Sequence, residues 1–229
     1  MMQYVFLHGA ACTADVFDAQ VAAFSESLAF VLPGHDGPGS ASTIAEFADA
    51  VEGILADHNV ENVALCGSSM GGAIALEVAL RRNPRVAALV LLDSGAKLRV
   101  APQIFDAFEA NFEAAARMLA GYFFAQPLPA LIEHTLAMMR AVGAAQTLRD
   151  FRACNAFDVT DRLPEIEIPV LALTGEHDVM TPPKFGAFVA DRVQHGEARI
   201  LPGAGHLPML EFPAETNMAL RAFVEERDR

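Results

Sequence analysis

Short apolar runs alternate along the chain with stretches in which apolar residues recur every three or four positions. Six runs are present: Tyr4–Leu7, Leu28–Leu32, Val63–Cys66, Ala88–Leu92, Val170–Thr174 and Ala198–Leu201. None of them alternates cleanly between apolar and polar residues, so we expect both faces of each strand to be covered. The stretches near residues 15–25, 43–57, 70–82, 183–192 and 213–226 predict amphipathic helices. This alternation favours an α/β fold with a mostly parallel sheet of about six strands flanked by helices.

Residues from about 97 to 160 interrupt the alternation. They show helical periodicity, for example at Phe105, Phe108 and Phe112, but contain no convincing strand. We therefore expect a helical insertion, or lid, between the fourth and fifth strands, packed over one end of the sheet. Because the insertion is short and closely joined to its flanks, residues 1–229 are predicted to form a single domain.

Composition and charge narrow the classes of function. Apolar residues make up 53% of the 229 residues, while 16 Lys+Arg against 29 Asp+Glu give a net charge of −13. An acidic surface repels phosphate backbones and anionic lipids, so we expect no binding to nucleic acid or membrane surfaces. No apolar run approaches ~18 residues, and the N-terminus lacks the basic flank of a signal peptide. The three cysteines are too few and too scattered for disulfides or zinc, which favours reduced thiols and a cytoplasmic location.

The most specific motif is G-x-S-x-G, which runs from Gly67 to Gly71 between an apolar strand and an Ala-rich helix. In this context the central serine lies on a sharp strand-to-helix turn, above the strand ends. The neighbouring helix N-terminus favours negative charge that develops there. Ser69 is therefore the candidate nucleophile. Ser68 lies in the wrong register, and a plain Gly-Ser turn that opens a helix is the structural alternative.

A serine nucleophile needs a base, and the base needs a carboxylate that orients it. His206 follows the last predicted strand, and Asp178 follows the fifth. Loops after parallel strands meet at one edge of the sheet, so both residues are expected to converge with Ser69. The chain order Ser69, Asp178, His206 is the one expected for this architecture. Asp93, which follows the fourth strand, is the alternative carboxylate.

Two backbone amides are predicted to form an oxyanion hole. The first is the N–H of Met70, directly after the nucleophile. The second is the N–H of Ala10 in the loop after the first strand, because Gly9 allows a turn that points the next amide inward. For His8, in the same loop, we expect a structural role that braces the loop rather than a catalytic one.

These motifs resemble those of the α/β-hydrolase fold superfamily, and the resemblance covers nearly the whole chain. The matching segments are HGAA at 8–11, LPGHDGPGS at 32–40, GSSMGG at 67–72, GEHDVMTPP at 175–183 and GAGHLPMLEFP at 203–213. Residues 157–163 also resemble the family's return from its lid. Two features depart from the family pattern: His8 comes too early for the usual N-terminal hairpin, and Val31 replaces an acidic residue. The missing hairpin places Leu28–Leu32 at the sheet edge in the superfamily's strand order, where we expect shielding by a loop, an N-terminal segment or a homodimer partner.

The resemblance implies a serine hydrolase that cleaves an ester or thioester through an acyl-enzyme, with no metal or organic cofactor. Family members also open lactones or cleave carbon–carbon bonds with the same triad, and a non-catalytic ligand-binding member is a further alternative.

The insertion carries the signals for substrate class. The chain has 16 phenylalanines and two tyrosines, and residues 97–157 hold eight of these 18 aromatic residues, together with Met118, Met138 and Met139. We therefore expect a small-molecule substrate with a neutral, apolar acyl or alcohol group, bound against an adaptable wall. The alternative is a substrate carboxylate that is bound by an arginine of the insertion. The candidates are Arg117, Arg140, Arg149 and Arg152.

Overall fold

The structure, a computed structural model, describes residues 2–35 and 39–227 and contains one parallel six-stranded sheet. Its strands are β1 (Gln3–Leu7), β2 (Leu28–Phe30), β3 (Val63–Ser68), β4 (Val86–Leu92), β5 (Val170–Gly175) and β6 (Gly196–Leu201). The spatial order is β2-β1-β3-β4-β5-β6, and every neighbouring pair is parallel. The predicted α/β architecture with six strands is confirmed, and the carboxyl ends of all six strands lie at one edge of the sheet.

Helices connect the strands and cover both faces. They are α1 (Asp18–Ala23), α2 (Ile44–Asp57), α3 (Met70–Leu80), α4 (Pro102–Ala110), α5 (Phe112–Tyr122), α6 (Pro129–Ala156), α7 (Pro183–Ala190), α8 (Pro208–Glu211) and α9 (Pro213–Glu225). Two 3₁₀ turns, Ala14–Phe17 and Thr160–Glu165, lie before α1 and β5. Within the described residues, no helix is both long and apolar enough to cross a membrane.

Two apolar cores lie on opposite faces of the sheet. Alternate residues of β1 supply each core: Val5 and Leu7 face one, and Tyr4 and Phe6 face the other. Helices α2, α3 and α7 cover the first face, whereas α9 and much of the insertion cover the second. The expectation that both strand faces are covered holds for the central strands. It is wrong for β6 at the edge of the sheet, where Gly196, Ala198 and Ile200 share a face that the flanking helices leave open, and Ile200 is 58% exposed.

The insertion between β4 and β5 consists of α4, α5 and α6. Helix α6 is kinked at Gly143, whose φ of 78° lies in the left-handed region that glycine tolerates. An antiparallel bridge between Lys97 and Asp158 joins the two ends of the insertion. The helical insertion after the fourth strand therefore fits the prediction.

Helix α2 begins with one half of a capping box. The Thr43 hydroxyl accepts the Glu46 amide, as expected for a capping box. The Glu46 carboxylate, however, accepts from the backbone and hydroxyl of Ser42. The hydrogen bonds from Ser42 stabilise the Glu46 carboxylate and lower the pKa of Glu46.

Strand β2 forms the other edge of the sheet, as predicted, and is only three residues long. The described residues form no strand before β1. A short edge strand offers few unpaired backbone groups to another chain. A homodimer through this edge stays a prediction. The altered segment after β2 is described only in part, because residues 36–38 of the LPGHDGPGS motif lie outside the described residues.

Candidate active site

Ser69 lies on a strained turn between β3 and α3. Its φ of 50° and ψ of −112° are unusual for a residue with a side chain. Two hydrogen bonds hold this conformation: the Ser69 amide donates to the Leu92 carbonyl at 2.9 Å, and the Ser94 hydroxyl donates to the Ser69 carbonyl at 2.7 Å. The turn therefore presents the Ser69 side chain at the carboxyl end of the sheet.

Close backbone packing makes glycine necessary on both sides of Ser69. A Cβ atom at Gly67 would lie 2.1 Å from the Gly71 carbonyl oxygen, and one at Gly71 would lie 2.2 Å from the Leu7 carbonyl oxygen. Either side chain would push the turn away from β1. Glycine is thus required at both positions of the G-x-S-x-G motif by the packing of the turn against its neighbours, as well as by the turn itself.

Ser68 and Ser69 have different surroundings. Ser68 is fully buried at the end of β3, and its hydroxyl has no hydrogen-bond partner among the described residues. Ser69 is partly exposed and lines a cavity. Only Ser69 is therefore placed where a ligand can reach it.

His206 and Asp178 lie together at the same edge of the sheet. The Nδ1 atom of His206 is 2.9 Å from Oδ2 of Asp178, and both side chains are buried. The backbone of His206 donates to the Phe123 carbonyl at 2.8 Å, and the two rings stack with centroids 5.9 Å apart. The insertion thus fixes the loop that carries His206. His206 and Ser69 line one cavity although 137 positions separate them in the chain.

Thr181 connects Asp178 to its surroundings, a contact that the sequence analysis missed. Its hydroxyl lies 2.6 Å from Asp178 Oδ2 and 2.7 Å from the Asp93 carbonyl oxygen. The amides of Met180 and Thr181 donate to Asp178 Oδ1 at 2.8 and 3.0 Å. The sequence signal that could have indicated this contact is an Asp in a turn that is followed by a Thr three residues later.

The electrostatics of Asp178 favour its ionised form. Burial by itself raises the pKa of this carboxyl, but the charge and hydrogen bond of His206 and the donors of Thr181 outweigh burial. The net pKa lies well below the usual range. Asp178 is therefore a carboxylate at neutral pH that holds a proton on Nδ1 of His206.

Asp93, the alternative carboxylate, does not contact His206 by a hydrogen bond. Its Oδ1 accepts the Gly175 amide at 2.8 Å, and its Oδ2 is buried without a partner among the described residues. Burial and the nearby Asp178 charge raise the pKa of Asp93 well above its ordinary value. Both effects favour the neutral, protonated form of Asp93 beneath the site.

Asp93, Asp178 and His206 also lie close enough to share a metal ion, with ligand atoms within 4.8 Å of one another. In the structure these groups are bonded to protein atoms: Nδ1 of His206 lies 2.9 Å from Asp178 Oδ2, and Asp93 Oδ1 accepts the Gly175 amide at 2.8 Å.

The loop after β1 lies against the Ser69 turn. A Cβ atom at Gly9 would lie 3.3 Å from Cβ of Ser69, and Ala10 lines the same cavity as Ser69. Within residues 2–35 and 39–227, the amides of Ala10 and Met70 have no protein acceptor. Met70 opens α3, where backbone donors are free of intrahelical bonds. Both amides are therefore available to an oxygen atom near Ser69.

His8 braces this loop, in agreement with the structural role expected for it. Its Nδ1 donates to the Gly9 carbonyl at 3.0 Å, and its Nε2 accepts the Leu32 amide at 3.2 Å. Full burial, with a smaller effect from His35, lowers the pKa of His8 to about 3. This arrangement requires a neutral imidazole ring, because Nε2 must be unprotonated to accept the hydrogen bond from the Leu32 amide.

A buried network outside the predicted site holds the same loop from the insertion. Asp150 Oδ2, on α6, accepts the Ala11 amide at 3.0 Å and lies 2.9 Å from His35 Nε2. Its Oδ1 accepts from the Gln146 side chain at 2.8 Å. Ala11 itself has a φ of 58°, an uncommon conformation that these contacts stabilise. Nothing local in the sequence relates Ala11 to Asp150, which lies 139 positions away.

We name the cavity at Ser69 the inner cavity. It has a free volume of about 80 Å³, and its lining includes Ser69, His206, Leu119, Phe123, Phe151 and Leu207. The expected apolar wall is thus present, but its composition differs from the expectation. Met118 is exposed and Met138 and Met139 belong to the core, so the methionine at the cavity is Met180, outside the insertion.

The four arginines proposed as carboxylate ligands do not line the inner cavity. Arg117, Arg140 and Arg152 form exposed ion pairs with Glu133, Glu113 and Glu109. These pairs lie between helices of the insertion and satisfy the cations. Arg99, which the sequence analysis did not single out, does line the cavity.

All three cysteines are free and buried, as expected. Burial, with smaller effects of Asp150 and Asp15, raises the pKa of Cys12 to about 12, and burial also raises the pKa values of Cys66 and Cys154. Cys12 and Cys154 line the inner cavity as neutral thiols. They contribute to its apolar wall rather than to nucleophilic chemistry.

The profile of the alpha/beta hydrolase family matches residues 4–219. Two relatives are each 28% identical to this chain. One is the putative carbamate hydrolase RutD of Agrobacterium fabrum, for which the match covers 92% of this chain and 88% of the relative. The other is the pimeloyl-[acyl-carrier protein] methyl ester esterase of Neisseria meningitidis serogroup B, with 85% and 80% covered. Among solved structures, Est816, described as an N-acyl homoserine lactone degrading enzyme, is 26% identical with a TM-score of 0.87, and the match covers 97% of this chain and 93% of Est816.

Proposed function

Because the chain belongs to the alpha/beta hydrolase family, we propose that it is a serine hydrolase of a carboxylic ester or thioester. The substrate is a small to medium, largely apolar molecule. The observation that carries this proposal is the Asp178–His206 hydrogen bond at the edge of a cavity that Ser69 also lines. The hydrolases and esterases among the relatives support it.

The proposed reaction proceeds through an acyl-enzyme. The Ser69 oxygen attacks the acyl carbon while its proton passes to Nε2 of His206, and Asp178 keeps the other ring nitrogen protonated. The amides of Ala10 and Met70 donate hydrogen bonds to the tetrahedral oxyanion. Collapse of this intermediate expels the alcohol or thiol, which takes the proton from His206. Water, deprotonated by His206, then attacks the acyl-enzyme, and His206 returns this proton to the departing Ser69 oxygen as the acid is released.

Covalent labelling tests the nucleophile directly. A fluorophosphonate is expected to add once, to Ser69, and mass spectrometry of the digested protein locates the adduct. Ser69→Ala should abolish labelling and lower ester turnover by several orders of magnitude while the fold is retained. Ser68→Ala is the matched control and should keep both. An adduct on Ser68 or on a cysteine would contradict the assignment.

Lactone hydrolysis is a second candidate activity. It uses the same nucleophile, base and oxyanion donors on a cyclic ester, and Est816 is described as degrading a lactone. A panel of one methyl ester, one lactone and one carbamate, each tested with native protein and Ser69→Ala, separates the activities. The preferred class is the one with the highest kcat/KM that Ser69→Ala removes.

A further inference from the structure

A second cavity adjoins the inner cavity, and we name it the outer cavity. It has a free volume of about 470 Å³ and is lined by residues that include Lys97, Thr160, Lys184 and Phe188. Arg99, Met180 and Phe185 line both cavities. The inner cavity, at about 80 Å³, holds only a short group. The shared wall gives a longer substrate with its ester at Ser69 a way past Met180 and Phe185 into the outer cavity.

The charge of the outer cavity is opposite to that of the whole chain. The chain has a net charge of −13. Among the residues that the structure describes, the lining of the outer cavity nevertheless includes three cations, Lys97, Arg99 and Lys184, and no carboxylate. Among the described residues, Lys97 is paired with Asp158, whereas Arg99 and Lys184 have no carboxylate within ion-pair distance. Two uncompensated cations thus face this space.

The position of Arg99 is fixed by the end of the insertion. Its Nη1 donates to the Asn155 carbonyl at 2.8 Å, and the Asn155 side chain accepts the Val100 amide at 3.2 Å. Other guanidinium donors of Arg99 have no protein partner in the described part of the chain. The Lys184 ammonium lies 5.8 Å from the centre of the Phe185 ring, at the shared wall. An anion in the outer cavity would find both cations already in place.

We propose that the outer cavity binds a carboxylate at the far end of the substrate, with Arg99 as its main ligand and Lys184 as its second. A guanidinium offers two parallel N–H donors that match a carboxylate, which makes arginine the stronger of the two. Met180 and Phe185 cover the apolar chain between the ester and the carboxylate. The proposal rests on hydrolysis at Ser69 and names the substrate class as an ester or lactone that also carries a carboxylate.

Matched substrates test this subsite. Methyl esters with two to five methylene groups between the ester and a terminal carboxylate are compared with the isosteric terminal carboxamides. The native protein is expected to prefer the carboxylate by about tenfold in kcat/KM at its best chain length, the scale of one partly exposed charge-assisted hydrogen bond. The preference should decrease in 0.5 M salt because both cations are exposed.

Charge-removing variants identify the ligands. Arg99→Gln should remove most of the preference through a higher KM for the carboxylate, and Lys184→Gln should remove less. Arg117→Gln, which removes an exposed cation of the insertion, is the control and should change nothing. The proposal is overturned if the native protein does not prefer the carboxylate, or if the preference survives in the Arg99→Gln/Lys184→Gln double variant. Hydrolysis of the carboxamides that Ser69→Ala removes would show that the catalytic proposal holds even when the subsite fails.

Discussion

Oxygen atoms of Asp93 and Asp178 lie within 4.8 Å of each other, but only Asp178 is hydrogen-bonded to His206. Both side chains are buried, and two charges at this distance in a buried site would repel each other strongly. The structure avoids this repulsion by an asymmetric environment. Asp178 receives two amides and faces His206, whereas Asp93 receives one amide and faces a carboxylate. The same residue type therefore has two protonation states within one site.

We predict that Asp178→Asn and Asp93→Asn differ strongly in activity. Asp178→Asn places the wrong hydrogen-bonding group against Nδ1 of His206 and should lower kcat by up to ~10⁴. Asp93→Asn keeps an acceptor for the Gly175 amide and adds no charge, so kcat should stay within about tenfold of the native value. Steady-state ester hydrolysis measures both. A larger loss in Asp93→Asn would move the orienting role to Asp93.

The raised pKa of Asp93 predicts a pH-dependent stability. In the native state this carboxyl stays protonated, while in the unfolded chain it ionises above about pH 4. The stabilisation is therefore complete below about pH 4 and is lost as the pH rises towards the native pKa, by up to ~1.4 kcal/mol per pH unit. Asp93→Asn removes this loss, and Asn tolerates the φ of 48° at this position.

Urea unfolding at pH 5, 6.5 and 8 measures this effect. The free energy of unfolding of Asp93→Asn should exceed that of the native protein by an amount that increases with pH. Asp106→Asn, at an exposed position of α4, is the control, and its difference from the native protein should not depend on pH. Parallel pH profiles for the native protein and Asp93→Asn would contradict the neutral state of Asp93.

We predict that Asp150 acts on turnover through the loop after β1. An amide at position 150 must point its NH₂ group at one of the donors that the carboxylate now accepts, from Ala11, His35 or Gln146. Loosening Ala11 loosens the adjacent Ala10 amide, so Asp150→Asn should lower kcat about tenfold with little change in KM, less than the loss of a whole oxyanion donor. Asp106→Asn serves again as the control. An unchanged kcat in folded Asp150→Asn would show that the network has a structural role only.

The volume of the inner cavity predicts selectivity for esters with one short side. In esters of 4-nitrophenol the alcohol is large, so the acyl group has to be the short side that enters the inner cavity. The acetate and propionate should therefore have a higher kcat/KM than the octanoate and decanoate. Leu119→Ala removes part of the cavity wall and should shift the optimum to longer acyl chains. An optimum at decanoate in the native protein would contradict this interpretation of the inner cavity.

The exposed edge of the sheet at β2 is the predicted contact surface of a homodimer. Val31, directly after β2, is 42% exposed at this edge. A lysine there places a charge that opposes strand pairing, so Val31→Lys should shift a dimer to monomer. Light scattering after size-exclusion chromatography measures the mass of both proteins. A native protein that is monomeric at high micromolar concentration would rule out the dimer.

The sequence determined the architecture and the positions of the principal candidate site residues. Apolar runs of strand length alternate with helical periodicity, and both patterns arise from local backbone geometry, so they can be detected without a partner. The turn at Ser69 is equally local, since Gly67 and Gly71 have to stand at fixed distances from it. Parallel connections then bring the ends of β5 and β6, and with them Asp178 and His206, to the same edge as Ser69.

Tertiary structure decided the contacts between these residues and their surroundings. The choice between Asp93 and Asp178 depends on which oxygen faces His206, and the hold of Asp150 on Ala11 depends on how α6 packs on the loop after β1. Arg99 likewise lines both cavities because Asn155, at the other end of the insertion, fixes it. Such hydrogen bonds join residues that are far apart in the chain, so they cannot be predicted from local periodicity or motif spacing. Burial and distance also set the pKa of each carboxyl, and neither quantity exists before the chain is folded.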